Sequence, residues 1–291
     1  MFEGIFTALV TPFKNQKVDL VSLKKLVEWQ LSNGVDGFVI NGTTAESPTL
    51  KDAEVIEIWS QVKQWVPTGF PLILGTGTNS TESTIQKTLQ AKDLGASGAL
   101  VVVPYYNKPP QEGLRQHYLK VAEAAGDFPI LLYNVPGRTI VSLSAETIAN
   151  LSKHENIVGI KEASGDMDLA EKILNLCDND FVLTSGDDSS CIDQMTRGGK
   201  GVISVASHII PTELKEISLK AREGNKEAII EYKKYDTLNR LLGIEPNPIP
   251  VKMALYLMGI IDSPELRLPL IKMSEENSVK LKNNLSDLGV I

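Results

Sequence analysis

The residue with the sharpest chemical potential in this sequence is Lys161, which ends the apolar run Ile157-Val158-Gly159-Ile160. An ammonium at the end of an apolar strand loses hydration, which favours the neutral amine, and a neutral amine attacks a carbonyl carbon. Gly159, two residues earlier on the same strand face, is expected to leave room beneath it. The competing reading is a lysine that turns outward or pairs with a carboxylate, because lysines are mostly exposed. Tyr133 ends another apolar run, Ile130–Tyr133. Its phenol either shuttles protons for a lysine-bound imine or caps the core as an aromatic. Thr43 and Thr44 offer hydroxyls and backbone N–H groups to a carboxylate, or make a capped turn between strand and helix. Arg138, after Pro136-Gly137, either grips an anion through paired hydrogen bonds or is a surface arginine. Tyr105 and Tyr106 are packing residues or part of a contact between subunits.

Other suggestive residues point elsewhere. Gly198-Gly199-Lys200-Gly201 looks like a phosphate loop but precedes a strand, and Gly75-Thr76-Gly77 lacks the third glycine of a dinucleotide fingerprint. His117, His154 and His208 are scattered, with none at ligand spacing from another. Asp187-Asp188 could hold a divalent ion, but helix capping explains the pair as well. No metal site is expected. The two cysteines, Cys177 and Cys191, are too few for a disulfide framework and read as buried free thiols of a reducing compartment.

The elements that would carry these residues follow from the apolar pattern. Short β-type runs at 5–10, 37–40, 71–74, 99–103, 130–133, 157–160, 181–183 and 202–204 are continuously apolar in several cases, as strands buried on both faces are. Helical spacing lies between them, as at Leu23, Leu26, Val27 and Leu31. Ser80 and Ser144 stand at helix starts with acids in the first turn, and Gly95 at a helix stop. Eight βα units predict a (β/α)8 barrel over 1–224, with catalysis at the C-terminal strand ends. An open doubly wound sheet is the alternative, and no GxGxxG follows the first strand. Residues 225–291 read as a helical extension packed on the barrel, with helices near 223–242, 251–258 and 274–288 and a proline-punctuated joint at Glu245–Pro250.

Length and composition agree with this. A chain of 291 residues, 42% hydrophobic and 22% charged, is an ordinary globular protein, which excludes wholesale disorder. A net charge of −7 argues against a nucleic-acid partner. The amino terminus, with Glu3 and no basic region, reads as a first strand, and no run is long enough to span a membrane. A cytoplasmic location is expected.

Taken together, GTTAES (42–47), PYYNKP (104–109), YNVPGRT (133–139), GIKEAS (159–164), SGDD (185–188), GVISV (201–205) and EPNPIPVK (245–252) resemble the dihydrodipicolinate synthase family of pyruvate-dependent Schiff-base aldolases. The similarity runs the length of the chain, in order. It implies a (β/α)8 barrel with a C-terminal helical extension and a lyase-type enzyme of lysine (diaminopimelate) biosynthesis. Its substrates would be pyruvate and L-aspartate 4-semialdehyde, with no cofactor. On this resemblance Lys161 would form the Schiff base, and Tyr133, Thr44 and Tyr106 a proton relay. Tyr106 would be donated across an interface of a homodimer or homotetramer. Thr43 and Thr44 would hold the pyruvate carboxylate, Arg138 the carboxylate of the second substrate, and Gly186 and Ile203 would contribute main-chain groups. The chain departs from the family at Ala45, where the motif commonly has glycine. Ser47, Asn79 and Tyr105 match the L-lysine site of lysine-inhibited relatives, but Asp52, Val55 and Ser83 do not, so weak or no inhibition is expected. The alternatives are a Schiff-base aldolase acting on a sugar acid and a catalytically silent binding barrel. Thr43-Thr44 and Arg138 favour the synthase over sialate lyases, and joint retention of Lys161, Tyr133, Thr44 and Tyr106 argues against a silent barrel.

Overall fold

The eight apolar runs form the strands β1 (Gly4–Ala8), β2 (Gly37–Ile40), β3 (Leu72–Gly75), β4 (Gly98–Val102), β5 (Ile130–Asn134), β6 (Ile157–Glu162), β7 (Val182–Ser185) and β8 (Gly201–Ser204). In a computed structural model, which describes residues 2–291, these strands close into a barrel in the order β1-β8-β7-β6-β5-β4-β3-β2. Every neighbouring pair is parallel. The continuous apolar character of the runs has a simple cause, since each strand faces two apolar layers. Inward, Phe6, Val39, Ile73, Leu100, Leu131, Val182 and Ile203 fill the barrel. Outward, Ile5, Phe38, Leu72, Ile130, Ile160 and Val202 join the core beneath the surrounding helices.

Local sequence sets the helices. Asp19 caps Leu20–Ser32 by accepting from the Val21 and Ser22 N–H groups, and Leu23, Leu26 and Val27 are its buried stripe. Ser80 caps Thr81–Asp93, and Ser144 caps Ala145–Leu151, as their spacing predicts. The Gly198–Gly201 segment lies at the N-terminal end of the barrel, where the Gly4 N–H donates to the Lys200 carbonyl (2.9 Å). A side chain at Gly201 would run into the Gly4 backbone, so close contact of β1 and β8 accounts for that glycine.

One local expectation is corrected, and one small element carries no sequence signal. No single helix covers 223–242. Gly224 adopts a left-handed conformation (φ 79°) after Pro211–Arg222, and the chain restarts as Glu227–Tyr232 and, after a 3₁₀ turn at Lys233–Tyr235, as Asp236–Leu242. A small hairpin, Phe13–Lys14 with Lys17–Val18, follows β1 and turns through Asn15 and Gln16, both at positive φ. Its strands are too short to show a period. The later helices Ile249–Leu257 and Glu275–Asp287 bury Val251, Leu255, Leu281 and Leu285 in the same core as the outer barrel layer.

Candidate active site

The aim of Lys161 depends on an irregularity within β6. Ile130 of β5 pairs with Ile157, but Leu131 pairs with Gly159, so β6 carries one extra residue. Ile157 faces the outer core. With strict alternation Lys161 would face outward too, because side chains two residues apart share a face. The bulge at Val158-Gly159 reverses the parity, Val158 packs against the inner cluster, and Lys161 comes opposite the inward-facing Tyr133. Lys161 is 6% exposed, with Nζ 4.4 Å from the centroid of the Tyr133 ring. The space at Gly159 is not a hollow beneath Lys161, however. A Cβ there would meet the Val182 carbonyl and side chain of β7, so Val182 fills the volume expected for the lysine.

The lysine's methylene chain lies instead over Gly186, just past β7. A Cβ at Gly186 would stand 2.6 Å from both Lys161 Cε and Ala163 Cβ. The Gly186 N–H donates to the Glu162 carbonyl at 2.7 Å, which fixes this loop against β6. Ile203 of β8 is buried in the inner cluster that contains Tyr133. Lys161, Tyr133, Gly186 and Ile203 are thus brought to one end of the barrel, where the parallel strands finish.

Thr43 and Thr44 leave the same end after β2. Asn41 turns the chain at φ 59° and donates from Nδ2 to the Gly75 carbonyl (2.9 Å), and Thr43–Ala45 forms one 3₁₀ turn. Thr44 is 2% exposed, whereas Thr43 is half-buried. Ala45 is buried within the 3₁₀ turn, and the left-handed residues of the loop are Asn41 and Glu46 (φ 57°) rather than Ala45, so a methyl at position 45 is accommodated. Arg138 lies in the short helix Pro136–Thr139 after β5, exposed, and donates to the Asn247 carbonyl (3.2 Å). Among the described residues, no carboxylate pairs with it, which leaves guanidinium donors for an anion.

Tyr106 and Tyr105 stand apart from this group. Tyr106 is 85% exposed and held at φ 75°, and Tyr105 is 40% exposed. Ser47 begins a second 3₁₀ turn, Ser47–Thr49, and Asn79 accepts at its carbonyl from Asn107 Nδ2 (2.9 Å). Asp52 pairs with Lys87 at 2.8 Å. Asp188 is occupied by the fold. Its carboxylate accepts from the Ser204 hydroxyl (2.5 Å) and from the Val205 and Ala206 N–H groups (both 2.9 Å), and burial raises its pKa. Asp187 accepts from the Ser190 hydroxyl and N–H. Burial also raises the pKa of Glu162, which accepts from Asn134 Nδ2 (2.7 Å). Among the described residues, no three His, Cys, Asp or Glu side chains gather as a metal-ligand set.

Two supports of the site carry no local sequence signal. Asn247 Nδ2 donates to Thr44 Oγ1 (3.0 Å) across 203 positions. The fully buried Lys252 donates to Glu46 Oε1 (2.5 Å) and to the Glu265 carbonyl (2.8 Å), over the face of Phe13. Desolvation lowers the Lys252 pKa to about 8 against the opposing pull of Glu46. The Arg267 N–H takes the second Glu46 oxygen (2.9 Å), and its guanidinium clasps Glu54. Lys252 is visible in the sequence only as part of EPNPIPVK, whose residues do not reveal their partners.

Comparison with known proteins bears on the family and the fold. The dihydrodipicolinate synthetase family matches residues 1–288. The 4-hydroxy-tetrahydrodipicolinate synthase of Bdellovibrio bacteriovorus is 50% identical over 291 residues, covering 100% of this chain and 99% of the relative. The crystal structure of dihydrodipicolinate synthase from Thermotoga maritima superposes with a TM-score of 0.97 at 44% identity, over 100% of both chains. The Acinetobacter baumannii dihydrodipicolinate synthase complexed with pyruvate gives 0.96 at 42% identity, again over 100% of both. The chain belongs to the dihydrodipicolinate synthetase family.

Proposed function

We propose that the chain is a lyase that condenses pyruvate with L-aspartate 4-semialdehyde, the 4-hydroxy-tetrahydrodipicolinate synthase reaction of lysine (diaminopimelate) biosynthesis. The observation that carries this reading is Lys161, buried at the C-terminal mouth of the barrel with its amine against Tyr133. In this reading the Lys161 amine adds to the pyruvate carbonyl carbon, and the carbonyl oxygen leaves as water, giving an imine. The imine withdraws electrons, so a methyl proton is lost and an enamine forms. The enamine carbon attacks the aldehyde, making a carbon–carbon bond while the alkoxide takes up a proton. The substrate's amine then adds to the imine carbon, closes the ring and expels Lys161. Each step moves a proton, the role given to Tyr133, Thr44 and Tyr106. Thr43 and Thr44 hold the pyruvate carboxylate, Arg138 holds that of the aldehyde, and Gly186 and Ile203 face the pocket through their main chains.

The same reading takes 1–224 as the catalytic barrel and 225–291 as its helical extension. It makes the protein a homo-oligomer, dimer or tetramer, in which Tyr106 enters a partner's site; its exposure on its own chain supports this. No helix among the described residues is long and apolar enough to cross a membrane, and the reading places the enzyme in the cytoplasm. It needs no cofactor and no nucleic acid. L-lysine inhibits weakly or not at all, because Asp52 and Val55 stand where lysine-inhibited relatives carry histidines, and Ser83 stands where they carry glutamate. A kinetic titration giving strong inhibition at sub-millimolar lysine would overturn that point. The decisive experiment is incubation with pyruvate, borohydride reduction and peptide mapping of the mass adduct. An adduct on Lys161 is expected, and its absence removes the mechanism. Competing L-aspartate 4-semialdehyde against sugar aldehydes then tests the acceptor, and preference for a sugar aldehyde removes the synthase reading.

A further inference from the structure

We infer that Asn134 and Glu162 are a positioning pair, whose side chains meet on the outer face of β5 and β6 and hold Tyr133 opposite Lys161 on the inner face. The inference rests on the proposed reaction and adds to it the groups that keep the amine and the phenol aligned.

Register places the pair. Beyond the bulge at Val158-Gly159, Tyr133 pairs with Lys161 and Asn134 with Glu162, the last two rungs between these strands. Successive side chains point to opposite faces, so Asn134 follows Leu132, and Glu162 follows Ile160, into the outer layer. Both are buried there, and Asn134 Nδ2 donates to Glu162 Oε2 at 2.7 Å. A bulge disrupts the ladder locally, at the point where register decides which side chains meet. A side-chain bond one rung beyond the reacting pair secures that register from the other end.

The hydrogen bonds also fix which chemical groups the pair must contain. At one end the Leu143 N–H donates to Asn134 Oδ1 (3.0 Å), and at the other the Ser164 N–H donates to Glu162 Oε1 (2.5 Å). The Ser142 hydroxyl beside the amide both donates and accepts, so it imposes no orientation. Asn134 must turn its oxygen to Leu143 and its NH2 to its partner, and the partner must then accept with both oxygens. An ionised carboxylate does this, whereas a second amide sets one donor against another. Among the described residues, no cation pairs with Glu162. Burial raises its pKa, opposed by the hydrogen bonds from Ser164 and Asn134. Burying a charge without a cation is unfavourable. Leu132 and Ile160 fill the same layer two positions earlier with apolar side chains, so the charge is confined to the rung that adjoins Tyr133 and Lys161.

The test compares the full chain with Glu162→Gln, the exchanged pair Asn134→Asp/Glu162→Gln, Tyr133→Phe and Tyr133→Phe/Glu162→Gln. In Glu162→Gln two donors oppose each other whichever way the amides turn. Its kcat should fall by about 10- to 100-fold, the scale expected when reacting groups are slightly misplaced. The exchanged pair moves the carboxylate to position 134 and the amide to position 162, with both main-chain donors still satisfied. It should return kcat to within about threefold of wild type. In the Tyr133→Phe background there is no phenol to align, so Glu162→Gln should cost less than about threefold more. A merely structural defect would cost the same in both backgrounds. Wild-type kcat in Glu162→Gln, an exchanged pair no more active than Glu162→Gln, or equal losses with and without the Tyr133 hydroxyl would each overturn the inference. If Glu162→Gln fails to fold, Asn134→Asp takes its place in both backgrounds, because its two facing carboxyl groups fit only by sharing a proton. Borohydride trapping on the wild type separates the two levels. A Lys161 adduct with an unaffected Glu162→Gln removes the positioning role alone, and no adduct removes the reaction and the role together.

Discussion

A lysine buried at a barrel mouth needs a surface shaped to its methylene chain, and at Gly186 that surface is a missing side chain. Gly186→Ala would place a methyl 2.6 Å from Lys161 Cε and Ala163 Cβ. Gly186 is not among the glycines at positive φ, so its backbone accepts alanine, and the strain is shared between the flexible Lys161 chain and the Ala163 Cβ, which yields only if the loop shifts. The expected outcome is a loss in kcat/KM for pyruvate of about tenfold or more, in line with the sensitivity of rate to small misplacements. Thermal unfolding should shift by only a few degrees. Undiminished borohydride trapping in Gly186→Ala would show that the methylene chain is not confined there. Lys161 and Tyr133 are legible in the sequence because each ends an apolar run. The bulge that turns Lys161 inward is not, because Ile157-Val158-Gly159-Ile160 is apolar on both faces and one inserted residue leaves no break in the pattern. The same blindness assigned the Gly159 space to the lysine, when a neighbouring strand fills it.

At the scale of elements, the loop after β2 and the helix Ile249–Leu257 are joined by the ion pair of Glu46 and Lys252, both wholly buried. Glu46 sits in a left-handed conformation, unfavourable for a glutamate, and its carboxylate is held by Lys252 and the Arg267 N–H. Removing one member of such a pair leaves a buried charge uncompensated. Lys252→Met should therefore cost roughly 3–5 kcal/mol in urea unfolding. Pairing it with Glu46→Gln should recover much of that loss, because the stranded charge is then absent. If Lys252→Met alone unfolds at the wild-type midpoint, the pair is not what anchors the loop. The eight βα units could be read from period and capping, since each βα contact is local or between neighbours. Asn247–Thr44 and Lys252–Glu46 could not, because they join residues 203 and 206 positions apart. Hydrogen-bonding capacity is written in a residue type, but its partner is written in the fold.

For the whole molecule, overall charge and surface chemistry have separate roles. A chain of net charge −7 does not attract anionic substrates as a body, so in the proposed reading the donors of Arg138 and the Thr43-Thr44 turn act locally. In the proposed reading Tyr106 extends the site beyond one chain. If it serves a partner's site, Lys161→Ala and Tyr106→Phe proteins, each nearly inactive alone, should regain activity when unfolded together and refolded. Mixed oligomers then contain sites with Lys161 from one subunit and Tyr106 from another, and no recovery would keep Tyr106 within its own chain. Stability of the whole barrel is tied to pH through His208. It is 0% exposed, accepts at Nε2 from the Val10 N–H (3.2 Å) and faces the Val205 carbonyl with Nδ1 (3.0 Å). This arrangement between β1 and the turn after β8 suits the neutral ring with its hydrogen on Nδ1. Burial lowers its pKa from 6.5 to about 4. A depressed histidine leaves the unfolded chain binding more protons between those values, so its stabilisation is full above pH 6.5 and declines as pH falls toward 4. Between pH 7.5 and 5.0 the linkage amounts to about 2 kcal/mol. Glutamine at this position spans the same two partners without titrating. The stability gap between wild type and His208→Gln, from urea unfolding at each pH, should change by that amount in favour of the variant as pH falls. A gap that stays constant would mean that the buried ring does not carry the pH dependence.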